Sequence, residues 1–127
     1  MCLYYKGNFK PCKVGYKVVR LRGGKMFAEM QGNNQELQQG AWLNEEYYRA
    51  PHHSGEKLIH AGGFHYPYGW HIFHTKDAAM SWKLTPPLSS MFAIVKVAVK
   101  EPVATGLHAS HRKITVAKQI KILGIVQ

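Results

Sequence analysis

Acidic residues are scarce in this chain. Seven Asp and Glu stand against seventeen Lys and Arg, giving a formal charge of +10 over 127 residues. Catalysis by paired carboxylates therefore has few groups to draw on. Cysteine is sparser still, with Cys2 and Cys12 alone. That excludes a disulfide-dense scaffold and fits a reduced, cytosolic setting. No apolar run approaches the ~20 residues that a membrane span needs. The opening stretch MCLYYKGNFKPCKVG has no apolar leader core, no small-residue cleavage site and no lipidation signal. The expectation is a cytoplasmic protein with no membrane partner, in the host cytoplasm if the chain is viral.

What is present is the composition of a folded domain. Hydrophobic residues make up 46% of the chain, enough for a real core, and the length fits a single domain over residues 1–127. A net charge this large costs stability through self-repulsion, so it points to a partner of opposite sign. Nucleic acid and phosphorylated small molecules are the commonest such partners, and an acidic protein surface is another. A surface made basic only for solubility is the plainer account.

Tyr16 to Arg22, YKVVRLR, is β-branched and ends at Gly23-Gly24. Lys25 to Met30 follows as the return strand of a hairpin. Arg20 and Arg22 then share a face with Tyr16 and Val18. Gln31 to Gly40 is amide-rich and reads as an exposed loop or a frayed helical turn. Ala41 to Ala50 has a period ambiguous between strand and helix and is read as a short strand, His52 to Glu56 reads as a loop, and Lys57 to His60 as the start of a strand broken at Gly62-Gly63. Gly69 to His74 reads as a strand. Thr75 then supplies a helix N-cap, and Asp77 lies in the first turn, where negative charge suits the dipole. Ala78, Ala79 and Trp82 share one face of a short helix over about residues 76–84, stopped by Pro86-Pro87. Phe92 to Lys100 alternates as a strand, with Ala93, Val95, Val97 and Val99 on one face. Pro102 to Leu107 reads as a turn. Ile114 to Val126 reads as a strand with a bulge, or two short strands. The expected fold class is α+β: a mainly antiparallel, twisted β-sheet with the one short helix packed on it.

Six of the eight histidines fall between His52 and His74. A metal site needs three or four converging ligands. His71 and His74 point to opposite faces of one strand, so no metal or other cofactor is expected. A two-histidine phosphoesterase needs two H-x-[ST] elements acting as acid and base. His108-Ala109-Ser110 fits, whereas His71-Ile72-Phe73 lacks the hydroxyl and His74-Thr75 lacks the spacer. Cys2 and Cys12 have no evident activating partner and read as inert thiols. Tyr4, Tyr5, Phe9, Tyr16, Trp42, Tyr47, Tyr48, Phe64, Tyr66, Tyr68 and Trp70 are interleaved with Lys and Arg. Rings beside cations suit single strands and nucleotides, although most aromatic rings serve the core. Arg112 and Lys113, beside His108 and His111, form a small basic cluster, with a solvated turn as the plainer account.

The run YKVVR at 16–20, GWHIF at 69–73, Ala78 or Ala79, VKVAV at 95–99 and VAKQIKIL at 116–123 resembles a pattern in small proteins of tailed phages and prophages. That resemblance implies a viral accessory protein and carries over no catalytic residue. The same order also looks like a degenerate ADP-ribosyltransferase, in which Arg20 and the segment Tyr66 to His71 would hold NAD. The chain departs from that pattern at the late catalytic glutamate, for which Glu101, the single acid after Asp77, is no convincing match.

Three readings follow. The first is an anti-defence protein, in the manner of anti-CRISPR proteins, that binds nucleic acid, a nucleotide signal or a nucleic-acid-binding effector of the host. There Arg20, Arg22, Arg49, Lys96 and Arg112 would meet phosphate, and Tyr66, Tyr68 and Trp70 would stack. The second is an ADP-ribosyltransferase-like or phosphodiesterase-like enzyme acting on NAD or nucleotides through His71, His74, His108 and Arg20. The balance of residues is against it. The third is a protein–protein inhibitor, for instance of a host defence protein, or a virion component.

Overall fold

The computed structural model describes Leu3 and residues 5–28, 35–61, 63–83, 91–108 and 112–126, with backbone only for His52 and Lys83. The expected Pro86-Pro87 stop, the end of the first return strand, and Ala109, Ser110 and His111 lie outside the described residues.

Alternating β-branched residues produce the first long strand. After a two-residue β1 (Tyr5–Lys6), β2 runs Val14–Arg22 and turns into β3 (Lys25–Ala28). Gly23 and Gly24 have φ of 59° and 77°, the pair of positive values that a two-residue hairpin turn demands. Two further expectations hold. β7 (Trp70–Phe73) leads into α1 (Lys76–Lys83), where the Thr75 hydroxyl accepts from the Ala78 N–H at 3.2 Å. Ala79 is fully buried, with Ala78 and Trp82 packed on the same core. β5 (Leu58–Ala61) and β6 (Phe64–Pro67) form a separate hairpin.

Three sequence expectations are corrected. Pro102 to Leu107 is no turn, because β8 runs unbroken over Phe92–His108 and pairs along its length with β9 (Arg112–Ile125). The proline is tolerated because it stands at a register shift, where ladder bonds are already interrupted. Glu101 there takes a φ of 56°, and the strand pair changes which face its alternate residues present. Ile120 and Ile122 enter one core cluster, while Ile114 and Val116, of the same parity, enter the other. Second, Ala41 to Ala50 is only briefly a strand. β4 spans Trp42–Asn44, then Asn44 caps a short 3-10 turn over Glu45–Tyr48 by accepting from the Glu46 N–H. Third, the described part of the amide-rich loop is not freely exposed. Leu37 is buried, and its N–H donates to the Met26 carbonyl.

Among the described residues, seven strands make one mostly antiparallel sheet with α1 packed on it. β8 pairs with β2 and β9, and β7 pairs with both β2 and β9, so β2, β8, β9 and β7 close a ring. The β2–β7 seam is a single residue pair, Tyr16 with Phe73. Gly15 allows that approach: a Cβ there would lie 2.5 Å from Ile72 Cγ2 and 2.7 Å from the Phe73 carbonyl oxygen. One core cluster holds Val19, Trp70, Ile72, Val95, Val97, Ile120 and Ile122. The other, under α1 and the β5–β6 hairpin, holds Val18, Tyr66, Phe73, Ile94, Ile114 and Val116. No helix among the described residues is long and apolar enough to cross a membrane.

Candidate nucleic-acid interface

The three rings read as stacking platforms are interior. Tyr66 is 2% exposed and Trp70 4%, so neither offers a face to a base. Tyr66 accepts from the Leu3 N–H at 3.0 Å and meets His71 Nε2 at 2.9 Å. Trp70 donates from Nε1 to the Leu43 carbonyl. Tyr68 donates to Glu56 at 2.6 Å, and burial together with that carboxylate pushes its phenol up to about 12.

The proposed phosphate contacts do not converge. Arg49 is a structural clamp: its guanidinium grips Glu45 through two nitrogens at 2.6 and 2.9 Å, donates to the Glu56 carbonyl, and lies 4.2 Å from the Tyr68 ring centre. Arg20 is half-buried beside Phe27. Arg22 is exposed next to the Gly23-Gly24 turn. Arg112 pairs with His108 at the far end of the long hairpin. Lys96 stands exposed on β8, opposite Tyr16 and Gly124.

Of the candidate histidines, His71 and His108 lie near enough for one to lower the pKa of the other, while His74 stands apart. His71 is buried, and desolvation, aided by the nearby Lys17 ammonium, lowers its pKa to about 3. A ring nitrogen bonds the Gly69 backbone, which leaves Nε2 to accept from the Tyr66 hydroxyl. His108 is buried edge-on to Trp82, with ring centres 5.1 Å apart. His74 lies on the other side of β7, its Nε2 2.6 Å from Thr115 Oγ1. Burial lowers its pKa, and burial raises that of Cys12, whose thiol also bonds Thr115. These shifts favour neutral, hydrogen-bonded side chains rather than a poised acid and base. Lys17 points away from the basic outer residues. It is 6% exposed and donates to the His71 carbonyl at 3.1 Å. Among the described residues no three His, Cys, Asp or Glu gather as metal ligands do.

A different set of residues comes together on the outer face of β8, β9 and β4. The inward residues Val97, Val99, Ile120, Ile122 and Leu43 belong to the first core. Their neighbours must therefore face outward. Trp42 pairs with Lys121, which pairs with Ala98; Asn44 pairs with Gln119, which pairs with Lys100. Trp42 is 39% exposed, unlike buried Trp70. The ammonium of Lys121 is 4.8 Å from its ring centre and that of Lys100 5.2 Å. Lys96 stands on the same face two positions before Ala98. Glu101 adjoins this surface, its carboxylate held by the Gln119 amide at 2.6 Å. Sequence reasoning named Trp42 among many rings without singling it out, and placed neither Lys100 nor Lys121 among the phosphate contacts, although Lys121 stands among the cations on strands. The available signal was parity: Lys100 shares the outward register of Lys96.

The chain also has a cleft of about 640 Å³ beside the Glu45–Tyr48 turn, lined by Tyr47, Arg49, Glu56, Lys57, Leu58 and Lys118 among others. Its arginine is committed to Glu45, and Glu46 and Glu56 both line it, which disfavours an anionic ligand. No family model, curated protein or solved structure matches this chain.

Proposed function

We propose that this chain is a non-catalytic binding module that meets a phosphate-bearing partner on the outer face of β8, β9 and β4. In that reading it is a phage-type accessory protein that antagonises host defence, by occupying a nucleic-acid site or by withholding nucleic acid or a nucleotide signal from a host effector. The observation that carries it is the exposed Trp42 with Lys100 and Lys121 about its ring and Lys96 on the same face. An exposed tryptophan costs solvation, and cations crowded together repel; both are offset when an anionic, ring-bearing ligand lands there. The neutral, tied-down histidines support binding over the enzymatic alternative.

The test is binding to nucleic acid across a salt series. Affinity should fall steeply as salt rises, because each lysine–phosphate contact releases counterions. The triple variant Lys96→Gln, Lys100→Gln, Lys121→Gln should lose most of that dependence. A flat salt response in the unaltered protein refutes the proposal.

A further inference from the structure

The geometry points to single-stranded nucleic acid, rather than a duplex, as the ligand of the Trp42 face. This inference rests on the proposed function and narrows its ligand. Three features support it. First, the face is a surface of three paired strands, with neither a projecting helix nor a free two-stranded ribbon among the residues that form it, so nothing here is shaped to enter a duplex major groove. Second, its central group is a flat ring. A ring can stack only on a base whose face is free, and a duplex keeps its base faces covered by their neighbours. Third, the cations surround the ring rather than lining a separate track. Lys121 sits between Trp42 and Ala98 in one cross-strand row, Lys100 lies in the next row, and Lys96 extends the line along β8. Along a strand, Lys96 and Lys100 are about 13 Å apart, so the cations flank the ring along more than one nucleotide. When a base takes the ring face, each ammonium moves off the ring to an adjoining phosphate.

Small nucleotides fit this surface less well than a strand. The described residues of the face lie on paired strands and raise no wall to enclose one, so affinity must come from several shallow contacts in series, as in other single-strand binders. Asn44 and Gln119, in the row next to Trp42, add amide groups that can bond base edges without demanding one base.

The experiment uses the full chain with fluorescein-labelled oligo-dT and oligo-U of about 20 nucleotides and a duplex of matched length, longer than the roughly 4–16 nucleotides that a single-strand-binding fold occupies. Both single strands should bind at least about tenfold more tightly than the duplex, and should quench tryptophan fluorescence as Trp42 stacks. The Trp42→Ala variant should weaken single-strand binding by about 5- to 100-fold while Trp42→Phe retains most of it. Lys100→Gln and Lys121→Gln should each reduce the slope of log affinity against log salt by about 0.7. A tighter grip on oligo-U than on oligo-dT would assign RNA as the natural source, and the reverse would assign DNA. Equal affinity for duplex and single strands, or affinity indifferent to Trp42→Ala, overturns the inference while leaving a phosphate-binding face intact. Absence of binding to all three probes at low salt overturns the proposed function as well. Fluorescence quenching in the unaltered protein needs no variant, so a misfolded variant does not blunt the test.

Discussion

Acidification should destabilise this protein through His71 in a way that a single substitution removes. The ordinary imidazole value is 6.5, and burial in the folded protein lowers it to about 3. Between those values the unfolded chain binds a proton that the folded chain refuses, so stability rises with pH across the window. The contribution is complete above about pH 6.5 and is lost progressively as pH falls toward 3. At pH 5 the folded ring is still neutral, and the cost depends only on the unfolded value. It comes to about 2 kcal/mol relative to pH 8, at about 1.4 kcal/mol per pH unit. That is a substantial share of the roughly 5–15 kcal/mol that a domain has in total. The comparison is His71→Gln, whose amide can still accept from Tyr66 and donate to the Gly69 backbone but does not titrate. Urea unfolding of both proteins at pH 8 and pH 5, followed by circular dichroism, gives the difference directly. The unaltered protein should lose about 2 kcal/mol more than the variant over that interval. Parallel losses in the two proteins would mean that His71 is protonated in the folded state near pH 5, and the account of a dry, neutral ring between Tyr66 and Gly69 would fail.

Two further predictions concern the frame and the clamp. Gly15→Ala should destabilise by about 1–3 kcal/mol, because the new methyl would collide with Ile72 and the Phe73 carbonyl at the β2–β7 seam; thermal melting measures it, and an unchanged midpoint would show that the seam is not close-packed. Arg49→Ala should cost about 2–3 kcal/mol by stranding the buried Glu45 carboxylate, yet leave oligonucleotide affinity within about twofold; a large loss of affinity in a folded variant would return Arg49 to the binding surface.

The elements written in local pattern were legible. The β-branched run of β2, the Gly-Gly turn, the alternation of β8 and the Thr75 cap each depend on neighbours a few residues away, and each is found where the pattern puts it. Features decided by distant partners were not. Pro102 reads locally as a turn, but β9 pairs across it and holds the strand extended. Leu37 sits alone among amides, and only contact with the rest of the fold shows it to be a core residue. The same limit applied to the site. Tyr66, Trp70 and Trp42 are equally plausible platforms as ring types. Their depths differ because Tyr66 is covered by the second core and Trp70 by the first, while Trp42 lies on a strand that adds to the sheet's outer side. Arg49 looked like a free cation because its acid, Glu45, is one turn away in a segment read as strand.

The ring of strands has a consequence for how the chain reaches its fold. β2 is made early, yet its partners β8 and β7 come some 55 to 80 residues later. Among the described residues its other neighbour, β3, pairs with it over Val19 to Arg22. During synthesis VGYKVVRLR therefore waits as an apolar segment with an open edge, the kind that seeds aggregation. Lys17, Arg20 and Arg22 divide that segment with like charges, which discourages two nascent copies from pairing. One of them, Lys17, ends buried against Trp70 in the finished molecule. Its charge is a burden to the folded core and a safeguard to the unfinished chain.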